Sequence, residues 1–237
     1  MFNMVIIKIW IALIGFFVNS DFDPVSKDFV LGKFDYKEHP QFVLIEEEHS
    51  SKPIYLQKTT YKAFKKMYSD ALEDNVKLKV VSGTRNFDEQ KAIWERKWEK
   101  YKNLSPKERA KKILRYSSMP SSSRHHWGTD IDLNNFENSY FEYGEGLRIY
   151  KWLKENANNY GFYQVYTDAP DRIRGYNLER WHWSYMPLSC QYLGFYNKNV
   201  NIKDITGFKG SNLAEELLII RKYVNGVDRM VSGYKCK

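Results

Sequence analysis

Apolar and polar positions change period several times along this chain, and each change predicts an element. Tyr61, Phe64, Tyr68, Ala71 and Leu72 recur at helical spacing, which predicts a helix from about Thr60 to Glu73 with one buried stripe. Val76 to Ser82 alternates instead and predicts a strand, ended by Gly83. Asn86, with Glu89 three residues on, has the form of a capping box and starts a helix that runs to about Tyr101. Ser105-Pro106 opens a second helix, to about Arg115. Ser117 to Ser123 is a Ser/Pro loop, Thr129 to Leu133 a strand, and Glu145 to Asn158 a helix stopped by Gly161. Val165–Tyr166 and Trp181–Tyr185 read as strands, Gln41 to Ile45 as an extended piece, and Asn212 to Val224 as a last helix. Helices and strands alternate without a βαβ rhythm. The expected class is α+β, a central antiparallel sheet flanked by helices.

Composition adds a compartment. The chain has 237 residues and is 43% hydrophobic, enough for a real core. Its first twenty residues differ from the rest: the apolar run Ile9 to Val18 is short for a membrane span, and Val18 and Ser20 suit a cleavage site. Residues 1–20 are expected to be a signal peptide, with an uncleaved N-terminal anchor as the alternative. Residues 21–237 are expected to form one domain, with a helical tail from about residue 190. The protein is then exported, periplasmic or extracellular, with no stable membrane insertion of the mature chain. The formal charge of +8 suits an anionic cell wall or membrane face, or no partner at all. No arginine-rich run or recognition-helix pattern accompanies it, so nucleic acid is not expected. Cys190 and Cys236 can pair in an exported protein or remain two thiols.

The chemistry lies in two segments, Ser123-Arg-His-His-Trp-Gly-Thr-Asp-Ile-Asp132 and Glu179-Arg-Trp-His182. His125, Asp132 and His182 can supply three ligands to one zinc ion and leave a coordination position open. Strand parity sends Ile131 and Leu133 to the core and Asp130 and Asp132 to the opposite face. An unbroken strand would turn His125 away from Asp132, so Gly128 between them must turn or bulge the backbone. Glu179 lies three residues before His182, which brings the two together only across a bend. A carboxylate near the metal but not bound to it can act as general base. His126 is the alternative to His125 as ligand, and otherwise a surface or substrate-side residue.

Together these segments resemble the signature of the VanY-type D-alanyl-D-alanine carboxypeptidases, and Ser82-Gly-Thr-Arg85 with Gln90 resembles that family's upstream Ser-Gly-Tyr-Arg element. The resemblance covers roughly Asp28 to Leu188. It implies the hedgehog/D,D-peptidase fold and a zinc peptidase acting on peptidoglycan stem peptides at their C-terminal D-alanine. Relatives act as L,D-carboxypeptidases or cross-link endopeptidases, and a non-catalytic wall-binding module is a further alternative. By position, His125, Asp132 and His182 become the zinc ligands, Glu179 the general base, and Arg85 the cation that stabilises the oxyanion. Ser123, two residues before a ligand candidate, can hold a substrate carboxylate or cap a turn, and Gln90 at a helix start is read first as structural, with substrate binding as the alternative. Three departures stand out: Thr84 where tyrosine is usual, Asp130 where a small residue is common, and Arg180 where proline is common. Asp130 would face the metal, to orient a ligand imidazole or to compete as a ligand.

His39 and His49 lack nearby partners in the sequence and are expected at the surface. Trp127, Trp181 and Trp183 are expected in the core, with one as a possible wall of the pocket, and Trp94 and Trp98 are expected to pack. The expected state is a monomer.

Overall fold

The computed structural model describes residues 25–173 and 175–236. The expected signal peptide lies outside the described residues. Among them, no helix is long and apolar enough to cross a membrane.

The described residues begin with a short helix, α1 (Lys27–Val30), capped by the Ser26 hydroxyl, and an antiparallel hairpin, β1 (Phe42–Leu44) and β2 (Tyr55–Gln57). Helix α2 (Lys58–Glu73) follows directly and buries Tyr61, Phe64, Met67, Tyr68 and Ala71. Leu72, expected in that stripe, is 50% exposed, because a stripe centred on Phe64 and Ala71 leaves it one position too far round. The alternation of Val76 to Ser82 persists as burial, with Val76, Leu78, Val80 and Ser82 inside. Ladder pairing, however, is confined to β3 (Val80–Ser82).

Helices α3 (Phe87–Lys100) and α4 (Pro106–Ile113) form a second unit, and both start where their capping boxes direct. In α3 the Asn86 side chain accepts from the Glu89 amide, and Glu89 accepts from the Asn86 amide. Ser105 and Glu108 do the same for α4, with Pro106 at the first helical position. Each such cap is worth about 1 kcal/mol.

The central sheet has the order β3-β4-β6-β5 and is antiparallel throughout, with β4 (Asp130–Leu133), β5 (Phe162–Gln164) and β6 (His182–Tyr185). Helix α5 (Gly144–Asn156) packs with α2 over one face of the sheet, around Ile131, Leu133, Phe162 and Trp183. The expected strand Val165–Tyr166 is the continuation of β5. Val165 N–H still donates to the His182 carbonyl, and the Tyr166 carbonyl accepts from Glu179 N–H.

After β6 comes α6 (Met186–Asn199), an element the periodicity did not predict. Position 190 lies within it. The expected helix Asn212–Val224 does not form. Leu217 and Ile219 are both buried while Leu218 between them is 41% exposed, and Leu218 takes a left-handed φ of 55°. Burial at two-residue spacing cannot be met by one α-helix, so the segment folds as short turns with a π-helical stretch at Ile220–Val224. A short helix, α7 (Arg229–Ser232), ends the described chain. The tail packs on α3, α4 and α6 in a second cluster that includes Trp94, Trp98, Phe208 and Ile219. Trp94 and Trp98 stack there at 6.0 Å, as packing residues.

Cys190 and Cys236 are disulfide-bonded, with Cα atoms 5.9 Å apart and a sequence separation of 46. The bond ties the chain end to α6. We predict that Cys236→Ser lowers unfolding free energy by about 2–4 kcal/mol, measured by guanidinium denaturation, because the crosslink no longer restrains a long loop of the unfolded chain. An unchanged midpoint would show that the tail contributes little to the cooperative fold.

Candidate metal centre

Antiparallel pairing of β4 with β6 sets Asp132 directly opposite His182, and Asp130 opposite Ser184. The side chains of Asp130, Asp132, His182 and Ser184 therefore share one face of the sheet, as parity predicted. His125 reaches the same point from a 3₁₀ turn, Arg124–Trp127, that precedes β4. Gly128 makes that turn possible. Its φ is +69°, and a Cβ there would lie 2.4 Å from the Phe42 ring.

Candidate ligand atoms of His125, Asp132 and His182 all lie within 4.8 Å of one another, and all three residues are buried. His125 Nε2 is 3.3 Å from Asp132 Oδ2, and His182 Nδ1 is 3.0 Å from Asp132 Oδ1. The remaining nitrogen of each imidazole is held from behind. His125 Nδ1 donates to the Gly83 carbonyl at 2.8 Å, and His182 Nε2 donates to Asp130 Oδ2 at 2.9 Å. These bonds fix ring orientation and direct His125 Nε2 and His182 Nδ1 inward. A neutral His125 then faces Asp132 with a lone pair, an arrangement that a shared cation satisfies. The donor set, two imidazole nitrogens and a carboxylate with both rings anchored from outside, fits a divalent zinc ion.

Burial opposes ionisation of His125, as does nearby Arg85, so its pKa is lowered. Burial also works against the His182 cation, but the hydrogen bonds to Asp130 and Asp132 outweigh it and hold that pKa up to about 10, with the proton on Nδ1 toward Asp132 standing where a metal cation would replace it. For Asp132, His125 and His182 overcome the effect of burial and keep the carboxyl well below its usual range. Glu179 sits in the turn before β6, where its carbonyl accepts from His182 N–H and from Gln164 Nε2. This is the bend the spacing required. Its Oε2 is 3.6 Å from His182 Nδ1, and burial pushes its pKa up to about 8 against the pull of His182 and Arg85.

His125, Asp132, Glu179 and His182 line a cleft of about 750 Å³. Arg85 enters from the end of β3. Its Nε donates to Gln90 Oε1 at 3.0 Å, and its Nη1 donates to Ser82 Oγ. Gln90 is buried and in turn donates to the Ser118 carbonyl. It thus steers Arg85 and also lines the cleft. Ser123 is buried with an unpartnered hydroxyl, makes no side-chain cap bond, and is absent from the cleft lining. Trp181 supplies an aromatic wall with Tyr116 and Phe136. Trp127 and Trp183 are core residues.

Several positions differ from expectation. His126 is fully buried. It donates from Nδ1 to the Arg85 carbonyl and accepts at Nε2 from Ser121 N–H, which makes it a backbone clamp rather than a surface residue. Its pKa falls to about 3, chiefly through burial. His49 is 3% exposed and bonded to the Tyr61 hydroxyl at 2.7 Å. Thr84 bonds the Tyr55 carbonyl, and Arg180 bonds the Asn138 carbonyl and Glu142.

The sequence reading missed Arg124 and Tyr166. The Tyr166 ring lies 4.8 Å from the His182 ring. Arg124, 1% exposed, donates from Nε to Asp130 Oδ2 at 2.9 Å and from Nη2 to Ser184 Oγ. Ser184 and Thr129 hydroxyls also donate to Asp130. A cation six residues before an acid that replaces a common small residue was a usable signal for this pair. Asp130 is thereby committed behind His182. We predict that Arg124→Met costs about 3–5 kcal/mol in chemical denaturation, because it leaves a buried carboxylate uncompensated, and that adding Asp130→Ala recovers most of it. Additive losses would mean that the two residues act separately.

Residues 53–188 match the family model described as VanY, D-alanyl-D-alanine carboxypeptidase. The putative carboxypeptidase YodJ of Bacillus subtilis (strain 168) is 31% identical over 135 residues, which are 56% of this chain and 46% of that protein. The chain thus spans about half the length of this curated relative. Two solved structures share the fold, each at a TM-score of 0.53 and 20% identity. One is VanYB in complex with D-alanine-D-alanine, covering 71% of this chain and 88% of that one. The other is the LdcB LD-carboxypeptidase, covering 81% and 80%. The architecture is of the hedgehog/D,D-peptidase type, and the chain belongs to the VanY family of D-alanyl-D-alanine carboxypeptidases.

Proposed function

We propose that this chain is an exported, monomeric zinc carboxypeptidase that removes the C-terminal D-alanine from peptidoglycan stem peptides, with residues 21–237 as its peptidase domain. One observation carries the reading: a buried His-Asp-His set with inward-facing ligand atoms, and a buried carboxylate 3.6 Å from one of them, all inside one cleft.

His125 Nε2, Asp132 and His182 Nδ1 would hold the ion, and Asp130 would orient His182 from behind. Zinc bound there supplies Lewis acidity toward a carbonyl and lowers the pKa of water. Glu179 takes the proton from the attacking water and passes it to the departing amine. Arg85, steered by Gln90, faces the oxygen that becomes negative as the carbonyl carbon turns tetrahedral. The aromatic wall of Trp181, Tyr116 and Phe136 shields one side from bulk water. No side chain becomes covalently attached to the substrate.

The test is incubation of zinc-loaded protein with tri-, tetra- and pentapeptide stems of defined stereochemistry, with and without a chelator. Loss of one terminal D-alanine, abolished by the chelator, is expected. Cleavage of a cross-link or of an L,D bond instead would reassign the specificity, and turnover that resists the chelator would remove the metal. Glu179→Gln should retain stoichiometric zinc by elemental analysis while kcat falls about 10²–10⁴-fold. His182→Ala should lose zinc. Arg85→Lys should lower kcat by about tenfold or more, because a point charge replaces an oriented fork. Zinc loss in the Glu179 variant, or full zinc in the His182 variant, would reverse the assigned roles.

A further inference from the structure

Helix α3 turns Gln90, Ile93 and Lys97 toward the cleft at helical spacing, while Trp94 and Trp98 enter the core behind. Gln90 is occupied with Arg85 and Ser118. Lys97 is not committed in this way. Its Nζ donates to the Ser117 hydroxyl at 2.5 Å, and among the described residues it has no carboxylate partner. Lys52 and Arg96 also line the cleft, but the two cations nearest the metal-ligand candidates are already committed. Arg124 is consumed by Asp130, and Arg85 is braced by Ser82 and Gln90 beside the metal centre. Both nearby acids, Asp132 and Glu179, already have roles in the proposed chemistry. Lys97 is half-buried, and its ammonium is disfavoured there, first by desolvation and then by Arg96, against the attraction of Glu179. A cation held in a cleft without an acid lacks the compensation that burial requires. Because Ser117 accepts from Lys97, its own hydroxyl hydrogen is free to donate. Two donors then stand side by side, one charged, and this matches a two-oxygen anion.

We infer that Lys97 and Ser117 form an anion subsite that holds a free carboxylate of the peptide substrate. The inference rests on the peptidase reading above and adds a recognition residue to it. Lys97 here is a specificity residue and takes no part in bond making. A stem peptide offers such a carboxylate at its C-terminus or on the side chain of a diamino-acid residue, and the two sources are separable by amidation.

The experiment compares zinc-loaded wild type and Lys97→Met on one stem peptide in three forms: unmodified, amidated at the C-terminus, and amidated at the side-chain carboxylate. With the unmodified peptide, Lys97→Met should raise KM about tenfold or more, the loss of one charge-assisted hydrogen bond, and change kcat little. Amidating the carboxylate that Lys97 holds should abolish the difference between the two proteins, and this identifies the source. Lys97→Arg should restore part of the affinity, which a purely structural role would not require. Calorimetric binding of the same three peptides to Glu179→Gln, with and without Lys97→Met, reads the subsite without turnover. Equal KM and equal Kd for wild type and Lys97→Met on the unmodified peptide would overturn the inference while leaving the peptidase reading intact. Absence of hydrolysis by wild type, with Lys97-dependent binding retained, would overturn the peptidase reading alone.

Discussion

The register of β4 against β6 is the constraint on which the site depends. Asp132 and His182 are fifty residues apart in sequence and meet as directly opposed partners across one antiparallel ladder. A slip of one residue would exchange the faces and drive Asp130 and Asp132 into the apolar cluster. What prevents the slip is the opposite face. Ile131 pairs with Trp183, both are buried, and both pack under α2 and α5. The hydrophobic core therefore fixes the positions of the polar atoms, and the candidate metal centre inherits its precision from apolar packing.

His125 and Arg85 are brought in by a second device, built from backbone. The Gly83 carbonyl takes the His125 ring, the His125 carbonyl takes the Arg85 amide, and the Arg85 carbonyl takes the His126 ring. The end of β3 and the 3₁₀ turn are thus laced together just before the capped start of α3. His126 belongs to this lacing, while its neighbour His125 turns toward Asp132 and His182. Two adjacent histidines with opposite environments explain why spacing alone could rank them but could not say what the second one does.

Much of the fold was legible because local chemistry and tertiary packing agree there. The two capping boxes, the α2 stripe, the alternation from Val76 and the parity of β4 all follow from short-range rules. Agreement fails after β6. Helix α6 has apolar residues around much of its circumference, carries Pro187 and Gly194, and buries Leu188, Cys190, Tyr192 and Tyr196 between two different clusters, so no single stripe announces it. The Leu217–Ile220 run looks helical by composition but is divided by the left-handed Leu218. Burial of His49 and His126 was likewise invisible, since a tyrosine hydroxyl and a carbonyl distant in sequence make it tolerable. The clustering of His125, Asp132 and His182 was legible and its supports less so, because supports such as Arg124 are defined by contact and not by spacing to a known group.

The departures from the family pattern are resolved locally, each by a partner supplied nearby in space. Arg180 caps the Asn138 carbonyl, Thr84 bonds the hairpin, and Asp130 is enclosed by Arg124, Ser184 and Thr129. The last case has a consequence for the metal centre. A lone carboxylate at that depth would be driven to protonate, and a protonated group would not hold the His182 ring as firmly. Arg124 keeps Asp130 ionised against burial, so a strong acceptor stands behind the imidazole. Such a buried pair adds little net stability, since desolvation offsets its attraction. Its return is orientation: the His182 ring is gripped at Nε2, and its Nδ1 is aimed at Asp132 by a charge that cannot rotate away. Once Arg124 and Asp130 are both present, removing either one alone strands the other, which holds this version of the site in place.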